Sequence, residues 1–430
     1  MNKKDFCKSQ LISYLGNKRS LIDQIEKIII DIKKNLNKNT LKCFDGFSGS
    51  GCVSRMLKYH ATDLYVNDLE NYSYIINSAY LSNPNEKEIK MINEWIEKLN
   101  NMNHNITGVI SNNYAPKDDN NIKKDERTFY TTKNAKIIDS IRKEIDSAPK
   151  NIQKYLLAQL LVKASIHTNT CGVFKGFYKN NQGIGQFGGQ GKNALQRITS
   201  DIKLDIPLFS DQQHNVNVNV FKKDINELIK NEELPEMDIT YYDPPYNQHP
   251  YGSNYHILNT IINNKIDENK LSKVAGIPKD WNKSNYNYKQ KAKQAFIDLL
   301  ENTRSKYIII SYNNEGILKE EWIDVLKPYQ YKKIEIDYNA FRGSRNLNKR
   351  DIKVKEILWI IEKNNISSEL KNNETHNCQN VSTEKYCHQC LKKLKVKELH
   401  KIVIKKKLFR GYSLLKKNDL IKKIIETDIN

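Results

Sequence analysis

Apolar residues recur at helical spacing from Leu21 to Ile32, where Leu21, Ile22, Ile25, Ile28, Ile29 and Ile32 share one face, so an amphipathic helix is expected there. Leu41 to Phe44 reads as a short strand. The glycine-rich turn Asp45-Gly46-Phe47-Ser48-Gly49-Ser50-Gly51 follows it and feeds a helix from Cys52. Further strands are expected at Asp63–Asp68, Val216–Phe221, Ile239–Tyr242 and Lys306–Ser311, and Ile334–Asp337 with Ile357–Ile361 suits a closing antiparallel hairpin. Between residues 83 and 213 the alternation of strand and helix stops. Asn151–His167 is a continuously apolar helix of core character, and glycines, aromatics and lysines then interleave through Thr168–Lys179 and Gly183–Lys192. Strands alternating with helices on either side of this insertion predict an α/β protein with an open, mostly parallel sheet.

The stretch Ile239-Thr-Tyr-Tyr-Asp243-Pro244-Pro245-Tyr246-Asn247 is the most informative in the chain. Thr and Tyr favour strand, and two prolines bar a helix. Asp243 and Tyr246 therefore stand at the carboxyl end of a strand, where open α/β sheets bind ligands. A carboxylate, proline carbonyls without ladder partners and an aromatic ring suit a planar base with an exocyclic amine: the amine donates to Asp243 and Pro244 while the base stacks on Tyr246. The plain alternative is a proline turn that closes a core strand.

Composition adds a partner. The 430 residues carry a formal net charge of +20, which favours a polyanion, although Lys, Asn and Ile are abundant throughout and a solvated basic surface gives the same total. Four of the seven cysteines (Cys7, Cys43, Cys52, Cys171) are scattered, which argues for a reducing, intracellular setting over a disulfide framework. The start lacks an apolar leader and no run approaches membrane-spanning length, so no membrane partner is expected.

Asp243-Pro-Pro-Tyr246 resembles the catalytic motif of DNA amino-methyltransferases, and Asp in first place leans toward N6 of adenine. The upstream motifs follow in the order of the Dam-like, or D12, class. Tyr14-Leu-Gly16-Asn17-Lys18 resembles the loop that grips the methionine carboxylate of S-adenosylmethionine. Asp45 with Phe47, Gly49 and Gly51 resembles the cofactor's glycine loop. Asp68, with Glu70 as fallback, matches the acid that accepts from the ribose hydroxyls, and Asp224 the acid that accepts from the cofactor's adenine. Read without the family, Asp68 and Asp224 are equally good helix caps, and Asn17-Lys18-Arg19 an ordinary helix entry. A phosphate-binding loop is excluded, because Cys52-Val53 follows Gly51 where Lys-Ser/Thr is required.

The resemblance implies a Rossmann-like S-adenosylmethionine-dependent fold with an antiparallel edge hairpin, and methyl transfer to N6 of a flipped adenine in duplex DNA. A cognate restriction endonuclease is the implied partner. The expected organisation is a cofactor half (1–82), a target-recognition insertion (83–213), a catalytic half (214–363), a linker (364–393) and a basic module (394–430). Expected DNA contacts are Lys175 and Lys192 in the insertion, Arg342, Arg345, Lys349 and Arg350 in the hairpin loop, and Arg410, Lys416 and Lys417 in the tail. The tail resembles a SAP-type module, with thirteen Lys or Arg against two acids between Leu391 and Lys423. Cys378, Cys387, Cys390 and His376 can complete a tetrahedral structural zinc site, with free thiols as the other reading. His256 reads as structural rather than as a base. RNA adenine, cytosine N4, or an inactive scaffold that only binds DNA are the competing functions.

Overall fold

The computed structural model describes residues 3–189, 191–192, 194–211, 215–339, 353–363, 391, 396–406 and 415–428. Arg342, Arg345, Lys349, Arg350, Arg410, His376, Cys378, Cys387 and Cys390 lie outside the described residues, so neither the hairpin-loop contacts nor the zinc ligands are placed. Among the described residues, no group of three or more His, Cys, Asp or Glu is arranged to hold a metal. No described helix is long and apolar enough to cross a membrane.

The chain forms two units, residues 1–366 and 367–430. The first is built on a seven-stranded sheet: β1 (Leu41–Asp45), β2 (Ala61–Asn67), β3 (Asn217–Phe221), β4 (Met237–Tyr242), β5 (Ser305–Asn313), β6 (Tyr331–Asn339) and β7 (Lys353–Glu362). Their spatial order is β3-β2-β1-β4-β5-β7-β6. Strands β1 to β5 pair in parallel, and β7 runs antiparallel to both β5 and β6. Strand β1 has β2 on one side and β4 on the other, so the connections diverge there and leave a crevice at the carboxyl ends. Asp45 pairs with Tyr241 across β1 and β4, which brings the glycine turn and the proline turn out of the sheet side by side.

The expected helix spans Ile22–Asn35 and buries Ile22, Ile25, Ile28, Ile29 and Ile32 on one face of the sheet, beside Leu41, Cys43 and Ile239. On the other face Phe44 and Tyr242 pack with Phe296 and Leu299 of the helix Lys289–Asn302. The apolar helix Lys150–Ile166 is indeed core. Its Leu156, Leu160 and Leu161 pack with Ile138 and with Tyr72 and Ile76 of the helix Asn71–Tyr80. Residues after 83 therefore share one core with residues before it. Cys7, Cys43, Cys52 and Cys171 form no disulfide among the described residues.

Arg127–Ala135, for which the sequence suggests no role, is a brace. Arg127 donates to the carbonyls of Asn113 and Ser272, Phe129 and Tyr130 are buried, and Thr131 caps the helix Thr132–Ile145. From that helix buried Asp139 accepts from the Gly108, Ile110 and Ser111 N–H groups at 2.8–2.9 Å, satisfying the start of the helix Val109–Tyr114. Asp139→Ala is expected to cost about 3 kcal/mol, since it strands buried donors that face a charged acceptor; urea unfolding of the purified chain measures it.

In the second unit the helices Val396–Lys406 and Lys417–Asp428 gather Leu399, Val403, Leu420, Ile421 and Ile424 around Leu391. Lys416 is exposed and Lys417 half-buried.

Candidate active site

At the carboxyl ends of β1, β2 and β4 lies a cleft with about 850 Å³ of empty space, its open mouth included. Tyr14, Gly16, Asn17, Lys18, Asp45, Phe47, Gly49, Asp68, Asp224, Asp243 and Pro245 all line it. Residues drawn from five separated stretches of sequence thus meet in one place. Gly51 stands behind the wall as the N-cap of the helix Cys52–Lys58.

The glycine turn needs its glycines. Gly49 and Gly51 have φ of +50° and +80°, in the left-handed region. A Cβ on Gly49 would lie 2.8 Å from the Tyr14 ring, and one on Gly51 2.5 Å from Asn77 Oδ1. Asp68 ties the turn to the end of β2: its carboxylate accepts from Gly49 N–H at 2.7 Å and from Glu70 N–H at 2.8 Å. It does not cap the helix Asn71–Tyr80, whose N-cap is Glu70. Asp224, by contrast, does cap Ile225–Leu228, accepting from Asn226 N–H at 2.9 Å while also facing the cleft. Here capping the helix and lining the cleft are one arrangement rather than alternatives.

The cleft is acidic. Burial pushes the Asp45 carboxyl up to about 7, and Asp45 Oδ1 has no hydrogen-bond partner among the described residues. Burial pushes Glu70, bonded to Asn259, up to about 7 as well. Such a lining suits a ligand that carries positive charge and hydroxyls, and the close-set backbone of the glycine turn suits a flat group laid against it. S-Adenosylmethionine has these features, and this donor set fits it.

At the proline turn, Asp243 meets Lys18. The ammonium donates to Asp243 at 2.7–2.8 Å and to Gly16 O at 3.1 Å, and lies 3.3 Å from Glu356 Oε1. Lys18 is only 4% exposed. Burial works against its charge, but Asp243 and Glu356 outweigh it and hold the ammonium well above the usual lysine range. Burial likewise lifts Asp243 to about 6, even with the Lys18 cation opposing the shift. The sequence assigns the loop Tyr14–Lys18 to the cofactor's carboxylate; in this structure Lys18 lines the cleft and its ammonium is paired with the catalytic turn through Asp243. Asn17, whose amide donates to Tyr14 O at 2.8 Å, remains on the cleft wall.

Tyr246 approaches Gly16, where a Cβ would lie 3.0 Å from the Tyr246 hydroxyl, and its carbonyl accepts from Ile317 N–H at 2.8 Å. The segment after the turn grips the N-terminal loop from the other side. Leu15 N–H donates to the Tyr255 hydroxyl at 2.6 Å, and the Tyr251 hydroxyl donates to Leu15 O at 3.0 Å. Tyr14 stacks on both Tyr251 and Tyr255 at 4.9 Å. His256 is buried among Tyr114, Phe129 and Phe174 and bonds to Phe174 O, as a structural histidine does. Lys175 stands 3.4 Å from His249 of the same segment, whereas Lys192 is exposed in the glycine-rich loop.

Sequence reasoning missed Glu356, and also Asn282, Ser284 and Asn287, which line the cleft. Glu356 left a trace: it interrupts the apolar alternation Val354, Leu358 on β7. The polar segment around Asn282 left none.

Comparison with known proteins gives one family. The model of the D12 class N6 adenine-specific DNA methyltransferases matches residues 14–326. Among curated relatives, the type II methyltransferase M.NlaIII of Neisseria lactamica is 28% identical over 82% of this chain and 99% of its own length. The type II methyltransferase M.CviAII of Paramecium bursaria Chlorella virus 1 is 30% identical over 72% of this chain and 85% of its own. The modification methylase StsI of Streptococcus sanguinis is 29% identical over 87% of this chain, which spans 55% of that relative.

Proposed function

The chain belongs to the D12 class of N6 adenine-specific DNA methyltransferases, and from that premise we propose that it marks a short sequence in duplex DNA as the protecting half of a type II restriction-modification pair. The names of the relatives M.NlaIII and M.CviAII favour this setting, and a cognate endonuclease that cuts the unmethylated sequence is the implied partner. The observation that carries the catalytic reading is the convergence of the glycine turn and Asp243 on one cleft.

S-Adenosylmethionine, held by Asp45, Gly49, Asp68, Asp224 and the loop Tyr14–Asn17, supplies an electrophilic methyl group when bound. The chain's own residues prepare the nucleophile. An adenine rotated out of the duplex stacks on Tyr246. Its N6 amine donates one hydrogen bond to Asp243 and another to the Pro244 carbonyl, so that the nitrogen lone pair is turned to the cofactor. Pro245 fixes the backbone that presents both acceptors. The N6 proton leaves after or during transfer, with Asp243 and solvent as acceptors. Duplex binding must offset the few kcal/mol of unstacking; Lys175, Lys192 and the hairpin arginines Arg342, Arg345 and Arg350 with Lys349 are assigned to that work. The tail, with Arg410, Lys416 and Lys417, is assigned a tethering role that raises local DNA concentration.

Incubation with labelled S-adenosylmethionine and unmethylated duplex DNA, followed by digestion to nucleosides, tests the reading: label in N6-methyladenosine's deoxy form supports it. Label only in cytosine, or only with RNA oligonucleotides, would replace it. The acid limb offers a second check. Ionised Asp243 is the stronger acceptor for the amine and the only form that can also take its proton, and burial lifts this carboxyl to about 6. At saturating S-adenosylmethionine the expected kcat/KM for DNA therefore approaches a tenfold fall per pH unit below 6, whereas an unperturbed aspartate would hold the rate down to about pH 4.

A further inference from the structure

Glu356 lies beyond the 14–326 span of the family match, on the β7 face that also carries Val354 and Leu358. It pairs in register with Asn313 of β5 and Ile336 of β6, inside the sheet. Its side chain is 1% exposed. One oxygen, Oε1, accepts from Ser311 Oγ and faces the Lys18 ammonium at 3.3 Å. The other, Oε2, has no hydrogen-bond partner among the described residues. A buried carboxyl half without a partner is costly to keep, and packing alone would be better served by an apolar residue at this position.

One ammonium thus stands against two acids, and it lies closer to Asp243, the acceptor that the target amine requires. When the amine arrives it competes with Lys18 for that carboxylate. An ammonium turned away with no second acid would be left buried and unpaired. We infer that Glu356 is a positioning residue for methyl transfer: it is the standing counter-ion that takes over Lys18 as the target amine occupies Asp243. No bond is made or broken in this exchange, and the ammonium only shifts its weight from one carboxylate to the other. The groups that face Glu356 are Lys18, Asp243, Tyr241, Tyr246 and Tyr338. Burial holds the three tyrosine hydroxyls above their ordinary range, so the exchange involves Lys18 alone.

The inference rests on Asp243 as the amine's acceptor, so its test separates the two. Wild-type transfer to adenine in mixed-sequence duplex DNA tests the parent reading; the ratios between variants test this one. For Glu356→Gln the expected kcat is roughly 10- to 100-fold lower, because Lys18 stays on Asp243 and the amine is misplaced. S-Adenosylmethionine affinity is expected to hold within about twofold. The acid limb should move to lower pH, since the negative charge that helps to raise Asp243 is gone. Glu356→Asp keeps the charge and should recover most of the rate with a wild-type acid limb. It also carries the test should the glutamine variant not fold. An unchanged kcat and acid limb in Glu356→Gln would overturn the inference. So would a Glu356→Asp enzyme as slow as the glutamine variant, or a rate loss matched by an equal loss of cofactor affinity.

Discussion

Asp243→Ala is expected to reduce methyl transfer about 1,000-fold while leaving S-adenosylmethionine affinity within a few-fold. The magnitude is that of removing one preorganised polar group aimed at the reacting atom. Its selectivity follows from position. Asp243 follows β4 and lines the cleft in its pair with Lys18, whereas the glycine turn and Asp68 hold each other through Gly49 N–H without its help. The variant should also fold, because Lys18 keeps Glu356 as a partner. Single-turnover transfer and equilibrium cofactor binding, measured on the same preparation, check both halves. A variant that lost binding and turnover together would assign Asp243 to the cofactor instead.

The second large effect is expected at Gly49. An alanine there pays the left-handed penalty of about 1–2 kcal/mol, and its Cβ would sit 2.8 Å from the Tyr14 ring. Relieving that contact moves Tyr14 off Tyr251 and Tyr255, on which it stacks, at a further cost of about 1–2 kcal/mol. A turn that relaxes to relieve both must return to this shape to hold the cofactor, at about 3 kcal/mol, or roughly a 100-fold rise in the dissociation constant for S-adenosylmethionine. Titration calorimetry measures it. Gly176, around which a Cβ meets nothing within 4 Å, is the matched control and should bind normally when changed to alanine.

Much of this site was legible in the chain because its parts are local. The strand and proline turn at Asp243, the glycine turn at Gly49 and the acid after β2 each announce themselves through a few neighbouring residues, and the sheet follows from the alternation around them. Other features depend on which elements touch. The pairing of Lys18 with Glu356 joins the N-terminal loop to the strand β7, and no local pattern links them. The expected boundary at residue 83 is a change in sequence rhythm, yet Tyr72 and Ile76 before it pack against Leu156 and Leu160 after it. Asn282, Ser284 and Asn287 reach the cleft from a segment whose polarity reads as plain loop. The role of Lys18 illustrates both sides: the family pattern located it in the cleft, while the direction of its ammonium depended on a partner outside that pattern.

Strand β7 lies between β5 and β6 although it follows both in the chain. On a ribosome, then, β6 emerges before the strand it bonds to, and the edge of β5 waits uncovered until residues up to Glu362 have been made. The same late strand brings Glu356 to Lys18. A nascent chain therefore joins β6 to the sheet and gives Lys18 its second counter-ion in one step. A product cut short before β7 carries every recognisable motif of the family and lacks both.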